Sequence, residues 1–188
     1  MRSIIFILLV CTLPAFHHSD PVIEKEEAQK AFLFLNKIRT QPEQHLAQFS
    51  FLKGMVPRAA LKWNDTLAKV AEARAMDLAK RKYFAHVDQE GFGVNHYINA
   101  AGYVLPKEWI AEKNANYFES LSAGSVSGID AISNLLIDAN TPSLGHRKHL
   151  LGLTTWDSSL VDIGIGYVNA PSSPYSSYAC VIIAKRNW

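Results

Sequence analysis

The sequence predicts an α+β domain, and three observations lead to this class. Apolar residues recur at helical spacing through the first three quarters of the chain, and two segments rich in Val, Ile and Tyr follow near its end. Helices followed by a terminal strand pair lack the strand–helix alternation of a parallel doubly wound fold. With 188 residues, 48% of them hydrophobic and 19% charged, the chain is long enough to bury one substantial core.

The first residues have the pattern of a secretory signal. A short basic start at Arg2 precedes an apolar run over residues 4–10 and a helix-breaking exit at Pro14. This run is about seven residues long, whereas a membrane-spanning helix needs about 20, so we expect no transmembrane helix in the mature chain. We predict a signal peptide over residues 1–19, a leader over residues 20–27, a domain over residues 28–188, and a secreted or cell-envelope location (periplasm or outer surface).

The two cysteines lead to separate expectations. Cys11 directly follows a Leu-Leu-Val segment that resembles a bacterial lipobox, so a lipid anchor at Cys11 is one alternative and simple cleavage is the other. If Cys11 leaves with the signal, the mature chain keeps only Cys180 and no intramolecular disulfide can form. Cys180 lies within the apolar residues 178–184, which predicts a buried thiol rather than a nucleophile.

Two long amphipathic helices are predicted in the first half of the chain. Residues 24–39 carry apolar side chains at steps of three or four, with acidic residues near the positive N-terminal end. A second and longer helix is predicted over residues 66–82, with Asn64 or Asp65 as its N-terminal cap. The apolar face of this second helix is interrupted only by Arg74.

Shorter elements complete the predicted order. A helix is predicted over residues 95–101, and strand-like residues begin at Asn116. Ser127, followed three residues later by an acid, resembles a capping box and introduces a further helix. The two terminal strands are predicted over residues 161–168 and 177–185, and we expect them to pair in an antiparallel sheet.

The charge balance excludes one class of partner. The chain has 19 basic and 17 acidic residues and a formal charge of +2, so it has no basic stripe with which to neutralise phosphates. We therefore predict no nucleic-acid binding. We expect a monomer whose partner is an extracellular or envelope protein, a lipid or a glycan.

Short motifs that place polar groups beside apolar framework occur in a fixed order. They are found at residues 35–39 (LNKIR), 61–68 (LKWNDTLA), 84–86 (FAH), 118–124 (FESLSAG), 143–151 (SLGHRKHLL) and 163–167 (IGIGY). Each motif alone is a weak signal, but in this order they resemble the CAP superfamily. That superfamily comprises the cysteine-rich secretory proteins, insect antigen 5 and plant pathogenesis-related proteins, and this chain is most similar to its cysteine-poor bacterial members.

The resemblance implies a three-layer α-β-α sandwich with a central, mainly antiparallel sheet and a cleft that holds two histidines and two acids. His86, Glu119 and His146 match three of these four positions. The second acid normally follows a tryptophan on the helix before the Gly-His element, but the corresponding stretch here contains no glutamate. Asp138 and Ser143 are the two substitutes that the sequence offers, and both remain open.

Two neutral imidazoles that converge on a cleft are suitable ligands for zinc or another divalent cation. His86 and His146 are therefore the predicted metal ligands, and the family pattern makes Glu119 their hydrogen-bonding neighbour. His149 follows His146 by three residues and can share its helical face, although packing is the simpler interpretation. The alternative is a satisfied polar network that locks loops to the sheet. No role is assigned to the remaining histidines, His17, His18, His45 and His96.

Three functions stay open at this point. The first is a non-enzymatic exported binding module whose cleft engages an envelope component and whose metal tunes that binding. The second is a metal-dependent, peptidase-like hydrolase, which is less favoured because no nucleophile with its base is recognisable by spacing. The third is a structural envelope protein or a lipid or sterol binder. Four aromatic residues are expected to pack in the core, or else to receive an apolar ligand: Trp63, Phe84, Tyr117 and Phe118.

Overall fold

The centre of the fold is an antiparallel pair of nine-residue strands near the C-terminus. The structure is a computed structural model, and it describes residues 19–139 and 141–186. The predicted signal peptide therefore lies, except for its last residue, outside the described residues, and so do Cys11, His17 and His18. In the part of the chain that the structure describes, no helix is long and apolar enough to cross a membrane.

The four helices predicted from the sequence occur in the expected order. They are α1 (Lys25–Thr40), α2 (Asp65–Arg81), α3 (Val94–Ala100) and α4 (Gly128–Ile137). Two short helices that were not predicted follow them, α5 (Gly145–Leu151) and α6 (Thr155–Ser158). Asn64 is the N-terminal cap of α2, because its side-chain oxygen accepts hydrogen bonds from the amides of Thr66 and Leu67 at 3.0 and 3.1 Å. The prediction that left Asn64 and Asp65 open is thereby decided for Asn64.

The predicted capping box of α4 occurs in a shifted form. The Ser127 hydroxyl accepts a hydrogen bond from the amide of Asp130 at 3.1 Å, as predicted. The Asp130 carboxylate, however, accepts from the amide of Val126 at 3.0 Å rather than from that of Ser127. The two side chains together fix the entry of the chain into α4.

The sheet has an antiparallel centre and short additions at one side. Its strands are β1 (Val22–Ile23), β2 (Lys62–Trp63), β3 (Glu119–Ala123), β4 (Asp162–Ala170) and β5 (Ser176–Ala184). The order is β1-β4-β5-β3 with antiparallel pairing, and β2 adds to β4 in parallel. The terminal strand pair confirms the prediction. The strand expected near Asn116 begins only at Glu119, and β1 and β2 were not predicted because two residues carry no periodic pattern.

Two glycines of β4 allow α2 to lie directly on the sheet. A Cβ atom added to Gly164 would lie 2.1 Å from the backbone nitrogen of Ala68, and one on Gly166 would lie 2.4 Å from the backbone of Ala71. Because real Cβ atoms do not approach backbone this closely, only glycine fits at these two positions. The helices α2 and α3, which contact each other, form the layer on this face.

The opposite face of the sheet carries the other helical layer. Tyr167 alternates with the glycines along β4, clusters with Ala131 of α4, and donates a hydrogen bond from its hydroxyl to the carbonyl of Ser125 at 2.5 Å. The helix α1 packs closely on α4, since a Cβ atom on Gly128 would lie 2.0 Å from the carbonyl oxygen of Glu27. The result is the expected three-layer α-β-α sandwich with a mainly antiparallel sheet, in the α+β class.

Candidate functional site

The first histidine of the site, His86, follows the C-terminal end of α2. Its Nδ1 atom lies 2.8 Å from Oε2 of Glu119, the first residue of β3. The Glu119 side chain is fully buried, whereas that of His86 is 46% exposed. A carboxylate only accepts hydrogen bonds, so the imidazole donates from Nδ1, and its Nε2 atom has no hydrogen-bond partner among the described residues.

The buried Glu119 carboxylate is neutralised by Arg74 of α2. The guanidinium donates from Nε to Oε1 of Glu119 at 3.0 Å, while a terminal nitrogen donates to the carbonyl of Ala85 at 2.5 Å. It also donates to the hydroxyl of Tyr83. A charged pair is buried without large cost only when both groups are paired and hydrogen-bonded, and this network meets that condition. Arg74, the residue that interrupts the apolar face of α2, is therefore part of the candidate site.

The second histidine, His146, is held by Asp138. Asp138 ends α4 in a left-handed conformation with φ of 51°, and its Oδ1 accepts from Nδ1 of His146 at 2.8 Å. Its Oδ2 accepts from the amides of His146 and Arg147 at 3.0 and 3.3 Å. Burial opposes ionisation of this carboxyl, but the hydrogen bonds from His146, Thr141 and the Arg147 amide outweigh it and hold the pKa of Asp138 below its usual value.

The two imidazoles face one open cleft. Their ring centres are 6.3 Å apart with an angle of 31° between the planes, and the cleft around them has a volume of about 480 Å³. Each ring has its Nδ1 on a carboxylate, and no other described residue hydrogen-bonds to either Nε2 atom. Among residues 19–139 and 141–186, no three His, Cys, Asp or Glu side chains are grouped as a set of metal ligands.

The structure separates the two substitutes for the second acid. Asp138 takes the position beside His146, whereas Ser143 is exposed and does not line the cleft. His149 borders the cleft but is buried, with Nδ1 2.8 Å from the Ser120 hydroxyl. Burial lowers the pKa of His149 to about 4, so it is neutral at physiological pH and packs as a structural residue.

Three further wall residues were not identified from the sequence. Asn116 donates to Oε2 of Glu119 at 3.4 Å, while its own Oδ1 is buried and has no hydrogen-bond partner in the part of the chain that the structure describes. Trp156 and Asp157, which belong to α6, also line the cleft. An asparagine just before a strand gives no signal of this kind, and the four-residue α6 is too short for a periodic pattern.

The predicted packing of the aromatic residues was wrong for two of them. Phe118 is fully buried and Trp63 packs against the core, as expected. Tyr117 is 45% exposed at the cleft, and Phe84 is 43% exposed, with its ring 5.7 Å from that of Tyr175. Both flank site residues, and the alternation along the chain that buries Phe118 turns its neighbour Tyr117 outward.

Cys180 is a buried thiol, as its apolar surroundings predicted. Its sulfur lies 3.7 Å from Oε1 of Glu119 on the sheet side of the site. Burial, together with the nearby Glu119 carboxylate, raises the pKa of the Cys180 thiol well above its usual value. The thiolate needed for nucleophilic attack is therefore disfavoured, and Cys180 serves as a packing residue behind Glu119.

The fold and the site together define a class: a three-layer α-β-α domain in which two histidine–carboxylate pairs face a common cleft. The sequence profile of CAP, the cysteine-rich secretory protein family, matches residues 34–183, which is most of the chain. The chain belongs to the CAP family.

Solved structures share this fold. An outer surface protein from Borrelia burgdorferi superposes with a TM-score of 0.58 at 18% identity, covering 88% of this chain and 97% of that one. An extracellular protein containing an SCP domain, from Bacillus anthracis str. Ames, superposes with a TM-score of 0.55 at 20% identity, covering 86% of this chain and 41% of that one. At these identities the likeness is one of fold. No curated protein matches the chain significantly.

Proposed function

We propose that this chain is an exported, non-enzymatic binding module whose cleft takes up a divalent cation such as zinc through His86 and His146. The proposal rests on one observation: the two imidazole rings have the same hydrogen-bond environment. In both, Nδ1 is engaged by a buried carboxylate and Nε2 has no partner among the described residues. An imidazole oriented by a carboxylate on its other nitrogen is the usual form of a histidine metal ligand.

The spacing of the rings supports this donor set. Two imidazoles that each place a nitrogen about 2.0 Å from one zinc ion have ring centres roughly 5 to 6 Å apart. The separation here is 6.3 Å, which a small side-chain adjustment brings into that range. A bound cation would supply Lewis acidity to a ligand in the cleft, while His86 and His146 hold it in place.

The number of available donors favours reversible binding over hydrolysis. A catalytic zinc site usually has three protein ligands and a water, whereas this cleft has two imidazoles whose neighbouring carboxylates are already engaged. Glu119 is engaged by Arg74 and His86, and Asp138 by His146 and backbone amides. With two protein ligands, a cation keeps open positions that a partner can fill, so the metal would tune recognition.

The wall of the cleft indicates which partner groups fit. Tyr117 offers an exposed ring, whereas Oδ1 of Asn116 is buried in the wall and has no hydrogen-bond partner among the described residues. An apolar or ring-shaped group can stack on Tyr117, which is compatible with an envelope protein or a glycan as partner. The extracellular and outer-surface proteins of the same fold support export to this environment.

Zinc titration into the purified, metal-free protein tests the proposal. We expect saturable heat for the unchanged protein and its loss in the double variant His86→Ala, His146→Ala. The matched control is His45→Ala, His96→Ala, which removes two histidines outside the cleft and should retain binding. If the unchanged protein binds no zinc, or if the cleft variant binds as well as the control, the two pairs form a structural network and the proposal is wrong.

Export is tested on the same protein isolated from its host. We expect the mass of the chain in the medium or the envelope fraction to correspond to cleavage between residues 15 and 20. A mass that corresponds to a chain beginning at Cys11 with an added lipid would support a lipid anchor instead of simple cleavage. A chain that retains Met1 and stays in the cytoplasm would contradict export.

A further inference from the structure

Two arginines are brought together near the C-terminal end of α1. The backbone amide of Arg58, in the loop before β2, donates to the carbonyl of Arg39, in the last turn of α1, at 2.8 Å. Arg39 is only 3% exposed, and Arg58 is half-buried. Neither of them lines the histidine cleft. We refer to Arg39 and Arg58 as the arginine pair.

The guanidinium of Arg39 is held by backbone carbonyls and not by an acid. Its Nε atom donates to the carbonyl of Ala59 at 3.3 Å, and a terminal nitrogen donates to that of Leu150 in α5 at 2.7 Å. A Cβ atom on Gly152, which ends α5, would lie 3.3 and 3.5 Å from the two terminal nitrogens, so the glycine lets the chain close over the guanidinium. These contacts fix the position of the Arg39 charge.

The positive charge of the arginine pair is not balanced by an acid in the part of the chain that the structure describes. Neither arginine forms an ion pair with a carboxylate there, and Nε of Arg58 is buried without a hydrogen-bond partner. Burial and, secondly, the charge of Arg58 lower the pKa of Arg39 to about 10, so Arg39 remains charged at pH 7. A buried cation normally has an anionic partner, as the similarly buried Arg74 has in Glu119.

We propose that the arginine pair binds a phosphate group between its two guanidinium groups. Each guanidinium is a planar fork of N–H donors that matches two oxygens of a phosphate, and a dianion offsets two neighbouring positive charges at once. One such phosphate suits a chain whose net charge is only +2. The phosphate is either the free ion or the end group of a larger molecule. Because neither arginine lines the cleft, the proposal does not depend on metal binding by His86 and His146.

NMR signals of the arginine Nε–H groups test the site in the purified protein, with a chelator present so that no metal binds the phosphate. Inorganic phosphate and glycerol 3-phosphate are the probes, and sodium chloride at the same ionic strength is the blank. At pH 7 we expect saturable shifts of the Arg39 and Arg58 signals, with a dissociation constant on the order of 1 mM. Equal affinity for both probes would indicate the end group of a larger molecule, and a preference for inorganic phosphate would indicate the free ion.

Arg58→Gln is the main variant, because the Arg58 side chain makes no hydrogen bond among the described residues and its loss should not unfold the protein. It should weaken phosphate binding at least about tenfold. The matched control is Lys53→Gln, which removes one exposed charge from the same loop and should retain binding. Absence of saturable shifts, or equal binding by Arg58→Gln, overturns the site. An equal loss in Lys53→Gln would reveal general attraction by positive charge and also overturns it.

Urea unfolding separates a phosphate site from an arginine that serves only the fold. In chloride, Arg58→Gln should be at least as stable as the unchanged protein, since repulsion between two neighbouring guanidinium groups is relieved. With phosphate at ten times its dissociation constant, the folding equilibrium constant of the unchanged protein should rise about elevenfold more than that of Arg58→Gln. A variant that is less stable in chloride, with no such difference in phosphate, would give Arg58 a structural role and overturn the proposal.

Discussion

His86 receives its carboxylate from the sheet, whereas His146 receives its carboxylate from the end of a helix. Glu119 is the first residue of β3, is fully buried, and is held in turn by a buried arginine. Asp138 is the residue that ends α4, and its second oxygen binds backbone amides rather than a cation. We call His86, Glu119 and Arg74 the sheet arm, and His146 and Asp138 the helix-end arm. The sheet arm holds its carboxylate with a charged partner, whereas the helix-end arm holds it with backbone amides. The two arms should therefore respond differently to loss of the carboxylate charge.

Removal of one charge from the sheet arm should have the largest effect. Glu119→Gln leaves the buried guanidinium of Arg74 without its main counter-ion, and loss of one partner of a buried pair costs about 3 to 5 kcal/mol. We expect the free energy of unfolding, measured with urea at pH 7, to fall by about that amount. The double variant Glu119→Gln, Arg74→Met should be less destabilised than the sum of the single variants. Additive losses would show that the two charges do not stabilise each other.

The third histidine near the cleft should dominate the pH dependence of stability between pH 6.5 and 4. The buried imidazole of His149 has a pKa of about 4, whereas its unfolded value is 6.5, so in this window only the unfolded chain binds the proton. Stability should therefore fall by on the order of 3 kcal/mol as the pH is lowered from 6.5 to 4, and no further through this group. Urea unfolding at several pH values measures the loss.

His149→Gln is the matched variant for this titration. It removes the titrating group, so most of the loss of stability between pH 6.5 and 4 should disappear, and an unchanged loss would assign the effect to another residue.

Below pH 3.8 Asp138 should add a second contribution to the loss of stability. The pKa of Asp138 is lowered in the folded protein, and the stability it provides is lost as the pH falls through that folded value.

The helix-end arm should tolerate the corresponding substitution better. Asp138→Asn preserves a residue that accepts the left-handed conformation and keeps an acceptor for the amides of α5, while it removes the charge. We expect a loss of about 1 kcal/mol in the same urea experiment. A loss as large as that of Glu119→Gln would contradict the distinction between the two arms.

The smallest expected effect is a local one, and it tests whether the arms are independent. Both His86 and His146 should carry a proton on Nδ1, which nitrogen-15 imidazole spectra detect directly. Asp138→Asn should alter the ring signals of His146 alone, and Glu119→Gln those of His86 alone. Simultaneous changes at both rings in either variant would indicate that the arms are coupled through the cleft.

The sequence predicted the order of the long elements because their periodic patterns extend over many residues. It also pointed to His86, Glu119 and His146 as candidates through short motifs that resemble the family, and the fold brings the three residues to one cleft. It left Asp138 and Ser143 open, because the left-handed end of α4 that aims Asp138 at the histidine is a backbone property without a spacing signal. Arg74 appeared only as an interruption of an apolar face, since its partner Glu119 is 45 residues away and their contact depends on the packing of α2 on the sheet.

The glycines of β4 have a consequence for the cleft although neither lines it. Ala71 of α2 rests on Gly166, and Arg74 follows Ala71 by about one helical turn, at 3.0 Å from Glu119. A methyl group at residue 166 would raise the helix from the sheet and lengthen that contact. The glycines therefore set the distance between α2 and the sheet, and with it the contact between Arg74 and Glu119. A transplant of the histidine pair onto another scaffold would have to include this strand.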